Sequence, residues 1–182
     1  MQTPNPDPYD GDGVHYSEGE TVHFRRLIVL AGVVIGIIGL FMKSLVTDGE
    51  SLLPNLPHPD FPDGIPTIWG GLDTWAQIVL VILIIVLVFL SLRPVLSKAP
   101  GRMDSMIIAV IGVALLAYAI VKWVDAGDKA DALAAGFAQA QAGGAIPTAF
   151  DVARGIGFLV LIVGTVLVIA GGALGIAQNQ EE

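Results

Sequence analysis

The sequence predicts an all-α membrane protein with four transmembrane helices. Four apolar runs carry this prediction, and none has a charged residue in its middle: Leu27–Phe41, Ala76–Leu92, Met106–Val121 and Ile156–Ile176. A helix needs about 20 residues to cross a hydrocarbon core ~30 Å thick, and each run approaches that length with its flanks. The composition agrees, because 14% of the 182 residues are charged, against about 25% in a typical soluble domain.

The four runs divide the chain into spans, loops and two terminal segments. We expect spans at 23–46, 75–93, 105–123 and 149–176, loops at 47–74, 94–104 and 124–148, a tail at 1–22 and a polar C-terminus at 177–182. The tail holds three prolines, three glycines and five acidic residues. Such a segment buries too little apolar surface to offset its ordering entropy, so we expect it to be disordered.

The two longer loops have different compositions. Loop 47–74 carries five prolines, which predicts an extended, polyproline-like segment over the membrane surface. Loop 124–148 is rich in alanine, and Leu133 and Phe137 have the i, i+4 spacing of one helix face. We expect a short surface helix there that ends at Gly143-Gly144. The segment Thr148–Asp151 resembles a capping box and is expected to start the fourth span.

Basic residues near the span ends predict the topology. Five of them lie on the side of the N-terminus, at the start of the first span or in and beside the 94–104 loop (Arg25, Arg26, Arg93, Lys98 and Arg102). The other four are spread over the longer, acidic loops and their edges (Lys43, Lys122, Lys129 and Arg154). The positive-inside rule then places both termini and the basic 94–104 loop in the cytoplasm, and the Pro-rich loop 47–74 and the Ala-rich loop 124–148 outside. The Ala/Gly/Val-rich spans and scarce lysine are typical of a bacterial protein, so we expect a multi-pass protein of the bacterial cytoplasmic (inner) membrane, with its first span an uncleaved signal anchor.

Glycine is patterned in the first and fourth spans. The glycines recur at spacings of four and seven residues. They are Gly32, Gly36 and Gly39 in the first span, and Gly157, Gly164, Gly171 and Gly175 in the fourth. Small residues at these spacings form a stripe that lets helix backbones approach closely inside a membrane. The pattern predicts that these two spans pack on each other or on a partner helix.

The sequence offers little for catalysis or for a cofactor. It has no cysteine, and its three histidines, His15, His23 and His58, lie outside the apolar runs. Neither the His58 segment nor Asp10–Asp12 carries enough ligands in the right register for a metal site. Nucleotide-binding and nucleophile motifs are absent from the sequence. A formal charge of −8 without a basic patch also argues against nucleic-acid binding. We therefore expect no enzyme activity, cofactor or metal.

Two functional hypotheses follow. The first is a non-catalytic accessory subunit of a larger inner-membrane complex, surrounded by lipid and by other integral membrane subunits. Under this hypothesis the candidate docking residues are Tyr9, Tyr16, Trp69 and Trp75, because aromatic side chains contribute much of the binding free energy at protein interfaces. The alternative is a small self-associating channel, transporter or transport regulator, with the glycine faces forming a homo-oligomer. A cell-envelope scaffold differs from the first hypothesis mainly in its partner.

Overall fold

A computed structural model describes the backbone of residues 18–55, 64–96 and 102–178, and the side chains of 24–53, 64–92 and 102–178. This part of the chain is mostly helical. Its four α-helices are α1 (Glu18–Leu40), α2 (Thr74–Leu96), α3 (Arg102–Ala142) and α4 (Gly157–Gln178). The tail up to residue 17 and the C-terminal residues 179–182 lie outside the described residues, as do Tyr9, Tyr16, His15 and His58.

Three helices are long and apolar enough to cross a membrane, which is compatible with a membrane protein. They are Thr74–Leu92, Arg102–Ala142 and Gly157–Gln178. Many large apolar side chains point outward from the bundle, for example Ile85 at 61% exposure and Val110 at 66%. A soluble protein rarely exposes contiguous apolar surface on this scale, whereas such surface is favourable against lipid.

The helices form a bundle in which α4 lies between α1 and α3. The α2 helix packs less extensively, against α1 and α3. It has no glycine and is apolar on all sides, so its large side chains keep neighbouring backbones at a distance. A cluster of buried apolar side chains fills the space between the helices, and Val29, Leu87 and Val168 are its most deeply buried members.

The third helix differs from the prediction. The sequence analysis separated a span at 105–123 from a short helix within 124–148, but α3 is one helix of 41 residues. At 1.5 Å per residue it is about 60 Å long, roughly twice the thickness of a hydrocarbon core. Its second half is rich in alanine, the best helix former, and contains no proline, so nothing interrupts it. It ends in a Schellman motif, in which Gly144 has φ +74° and the Ala145 amide donates to the Ala140 carbonyl.

The segment between α1 and α2 and the segment between α3 and α4 fold together with the second half of α3. We call this unit the cap (41–55, 64–73 and 124–156). The strands β1 (Leu45–Val46) and β2 (Ala153–Arg154) pair antiparallel, and a bridge joins Lys43 to Thr67. A 3₁₀ helix covers Glu50–Asn55. The described part of loop 47–74 is therefore folded and is not the extended segment that its prolines predicted.

Three helix boundaries also differ from the prediction. The first helix begins at Glu18, within the tail that was expected to be disordered, and ends at Leu40, not near residue 46. Beyond Leu40 the backbone turns away to bond the 66–69 segment; for example, the Ile68 amide donates to the Met42 carbonyl. The fourth helix begins at Gly157, so Thr148–Asp151 does not start it, because the intervening residues pair with β1.

Phe137 is the centre of the cap core. It is 1% exposed and contacts Phe150 edge-on, with ring centroids 5.5 Å apart. Leu133, one turn earlier, is also buried, and both belong to a cluster with Leu45 and Leu53. The i, i+4 pair predicted for a surface helix thus attaches the outer half of α3 to the loops around it.

We expect Phe137→Ala to loosen the cap selectively. Loss of a buried phenyl ring costs about 3–5 kcal/mol through lost transfer energy and the cavity left behind. Hydrogen exchange on the purified protein should become faster in residues 44–55 and 145–156 and stay unchanged in α1. Gln139→Ala, at an exposed position on the same helix, is the matched control. Equal exchange in the two variants would show that Phe137 does not hold the cap.

Candidate functional site

The contact between α1 and α4 is made by backbone against backbone. A Cβ atom on Gly164 would lie 2.6 Å from the Gly36 amide nitrogen, and one on Gly32 would lie 2.6 Å from the Gly164 carbonyl oxygen. Real Cβ atoms do not come so close, so only glycine fits at either position. We call this contact the glycine seam.

The seam continues to both ends of the helices. Towards the cap, a Cβ on Gly39 would lie 2.7 Å from the Leu161 amide nitrogen, and Gly157 faces the Gly39 carbonyl. Towards the other end, Gly171 packs against Val29, and Gly175 packs against the Arg25 side chain. The structure thus brings all seven glycines that the sequence analysis selected into contacts between α1 and α4 or at their ends.

A second close contact, between α4 and α3, escaped the sequence analysis. A Cβ on Gly172 would lie 2.8 Å from the Ala109 amide nitrogen, and one on Gly112 would lie 3.1 Å from the Ile169 amide nitrogen. The adjacent pair Gly171-Gly172 was the signal for it. Neighbouring residues on a helix point about 100° apart, so the pair gives α4 one small face towards α1 and another towards α3.

The centre of the bundle holds a small apolar cavity. Its volume is about 40 Å³, far below the ~300–1,000 Å³ of typical small-molecule pockets. All four helices line it, and its one hydroxyl is that of Thr165. That hydroxyl donates to the Ile162 carbonyl, 2.8 Å away, within the same helix. The cavity therefore has neither the size nor the free polar groups of an ion path.

Arg25 is buried at the end of the bundle opposite the cap. The sequence analysis used this residue only as a marker of topology, yet its side chain is 7% exposed. Its Nη1 donates to the Ser105 hydroxyl across 3.4 Å, and the end of the side chain, from Cδ to Nη1, lies over Gly175. Asp104 lines the same small cleft. Arg25 thus joins α1 to the start of α3 and to the end of α4.

Aromatic side chains gather at the cap end of the helices. Trp69 is partly buried in the cap core, and its ring lies 6.2 Å from that of Phe41. Trp75 is 63% exposed at the start of α2. Trp123 lies on α3 near the same level, under the Arg154 guanidinium. Of the four docking candidates, the two tryptophans therefore lie on one end of the bundle, and indole rings favour the membrane–water boundary.

A charged cleft in the described part of the cap lies between the 64–72 segment and α3. Its volume is about 310 Å³. Lys122 and Lys129 approach the Asp125 carboxylate there, at 3.9 Å and 3.7 Å. These exposed pairs lie within one helix and contribute a few tenths of a kcal/mol each. No three His, Cys, Asp or Glu side chains among the residues that the structure describes converge to hold a metal ion.

Comparisons with protein-family models, with curated proteins and with solved structures find no match for this chain.

We expect Gly164→Ala to destabilise the bundle and Gly36→Ala to leave it nearly unchanged. The added methyl group at Gly164 would meet the Gly36 backbone, whereas a Cβ on Gly36 has only Leu161 Cδ1 nearby, at 3.8 Å. Overpacking of this kind costs about 1–3 kcal/mol. The midpoint of thermal unfolding in detergent measures both variants. Equal midpoints would show that the seam tolerates an extra carbon and is not as close as described.

Proposed function

We propose that the chain is a non-catalytic accessory subunit of a larger bacterial inner-membrane complex, such as a respiratory-chain assembly. The observation that carries the proposal is the cap. Its loops share one buried cluster with the second half of α3, so an ordered surface stands on one end of the bundle. A fixed surface of this kind docks a partner without first having to be ordered, which lowers the entropic cost of binding.

The outward side of the cap has the character of a contact surface. Along the second half of α3, Ala132, Ala135 and Ala138 are exposed, and the carboxylates of Asp128 and Asp131 lie beside them. Small side chains allow another backbone to approach closely, and the acidic groups favour a basic partner. This surface supplements the two tryptophans at the membrane boundary as the docking region. The N-terminal tail, with Tyr9 and Tyr16, is a further docking segment in this proposal.

The proposal includes α1 as a fourth span. The glycine seam holds α1 beside α4 from Arg25 to Leu40, so the two helices occupy the same depth. With four spans, both termini lie on one side and the cap on the other. Arg25, Arg26 and Arg102 are all at the end away from the cap, and the positive-inside rule makes that end cytoplasmic.

The alternative, a self-associating channel or transporter, receives less support. That hypothesis assigned the glycine faces to contacts between copies of the chain. Gly32, Gly164 and Gly171 instead face helices of the same chain, and a second copy would have to bind elsewhere. The apolar central cavity of about 40 Å³ also offers no path for a polar solute.

We expect the full-length protein to leave the membrane as part of a larger assembly. Extracted in a mild detergent, it should have a protein mass well above 19.0 kDa by light scattering, with a constant set of co-purifying proteins. Ala135→Arg, in the middle of the exposed alanine surface, should release them. Gln141→Arg, exposed on another face of the same helix, is the control. A monomer without companions would contradict the proposal, and a homo-oligomer that conducts solute in vesicles would favour the alternative.

A second prediction concerns topology. Because the chain has no cysteine, one introduced thiol reports its own position. Asp131→Cys in the cap should react with a membrane-impermeant maleimide in intact cells, and Arg102→Cys should react only after the inner membrane is opened. The reverse pattern would show that the cap is cytoplasmic. Reaction of Glu18→Cys from outside would show that α1 does not span the membrane.

A further inference from the structure

A second cleft lies where α3 leaves the bundle, on the side facing β2 and the start of α4. Its volume is about 500 Å³. Three of its lining residues, Trp123, Gly127 and Asp131, follow one another at spacings of four on α3 and so form a single stripe. Arg154 of β2 completes the cleft from the other side.

The Arg154 guanidinium is held in place within this cleft. Its Cζ lies 4.8 Å from the centre of the Trp123 ring, a cation–π arrangement. A Cβ atom on Gly127 would lie 2.7 Å from the Arg154 Nε. Glycine at this position therefore leaves the space that the guanidinium occupies against α3. The cation is fixed by these contacts while the residue remains exposed.

The cleft carries two opposite charges that do not neutralise each other directly. Neither Arg154 nor Asp131 takes part in an ion pair within the described parts of the chain. Asp131 lies four residues beyond Gly127, about 6 Å farther along the axis of α3 and away from its apolar part. The cationic group thus lies nearer to the apolar helices, and the anionic group lies farther out.

Below the charges, the cleft opens onto apolar surface. Ile156 and Leu159 line it and are 61% and 54% exposed. Val163 continues this exposed line one turn further along α4. A molecule that fits must therefore carry an anionic group, a cationic group further out, and a long apolar chain on the opposite side.

We propose that this cleft binds one zwitterionic phospholipid of the phosphatidylethanolamine type. Arg154 binds its phosphate, Asp131 accepts hydrogen bonds from its ammonium group, and an acyl chain lies along Ile156 and Leu159. Guanidinium groups bind phosphate through paired, charge-assisted hydrogen bonds, and an ammonium group donates to a carboxylate. The inference requires the apolar helices to lie in a bilayer, but it does not depend on the accessory-subunit proposal or on which membrane face carries the cap.

The test is retention of defined lipids by the full-length protein. The protein is equilibrated in detergent micelles that contain phosphatidylethanolamine, phosphatidylglycerol or phosphatidylcholine, and bound lipid is counted by native mass spectrometry. We expect one tightly bound phosphatidylethanolamine and weaker retention of the other two. Phosphatidylglycerol lacks the ammonium group and meets the Asp131 carboxylate, and the methyl groups of phosphatidylcholine cannot donate hydrogen bonds.

Two pairs of variants separate the site from general charge effects. Arg154→Gln should weaken phosphatidylethanolamine binding at least about tenfold, as expected for loss of a charge-assisted hydrogen bond. Lys129→Gln, a cation outside this cleft, should not change it. Asp131→Asn should remove the preference for phosphatidylethanolamine over phosphatidylglycerol, and Asp128→Asn should keep it. Both aspartates are exposed, so these two substitutions leave the packing intact even if Arg154→Gln disturbs it.

Several outcomes would overturn the inference. Stronger retention of phosphatidylglycerol by the unchanged protein would do so, as would equal losses in Arg154→Gln and Lys129→Gln. Displacement of the lipid by equimolar O-phosphoethanolamine, which has the headgroup without acyl chains, would show that the cleft binds a soluble phosphate compound and not a lipid. Retention that survives in Asp131→Asn with its lipid preference unchanged would exclude the role of the carboxylate.

Discussion

The direct backbone contact between α1 and α4 is the constraint on which the rest of the fold depends. Lipid tails are as apolar as leucine, so hydrophobicity does not drive helices together inside a bilayer, and close packing must do so. At Gly32 and Gly164 the two backbones meet with no side chain between them. This contact sets the axial position of α1 against α4. It thereby places Gly39 beside Gly157 and Arg25 beside Gly175, so that both ends of the bundle are built on it.

The cap follows from this alignment. Because α1 ends beside the start of α4, the chain that leaves α1 can pair with the chain that enters α4, and β1 and β2 meet there. The long α3 then supplies the surface on which these segments pack, through Leu133 and Phe137. Loops that the sequence analysis treated as separate segments become one folded unit. The same geometry brings Arg154 against Trp123 and Gly127, which creates a charged cleft where the helices leave the apolar part of the bundle.

Part of this arrangement could be predicted because it depends on residues close together in the chain. Helix length, apolar periodicity, the glycine stripes and the stop at Gly143-Gly144 are all local patterns. Prediction failed where long-range contacts competed with local signals. Thr148–Asp151 has the pattern of a helix start, yet pairing with β1 keeps the next residues extended. The change of polarity after Trp123 predicts a separate helix, but a change of polarity does not interrupt a helical backbone that contains no proline.

The sequence by itself determined that this chain has long apolar helices, which of them carry small faces, and that its charges concentrate outside the apolar runs. Only the tertiary structure decided which small faces meet, since a glycine stripe does not specify its partner. It also decided that Arg25 is buried beside Ser105, 80 positions away, and that the loops form a packed cap. The physical reason is the same in each case. Helix formation depends on neighbouring residues and on the solvent. The burial of a side chain, the position of a charged group and the shape of a cleft depend on residues that are distant in the chain and become neighbours only when the helices pack.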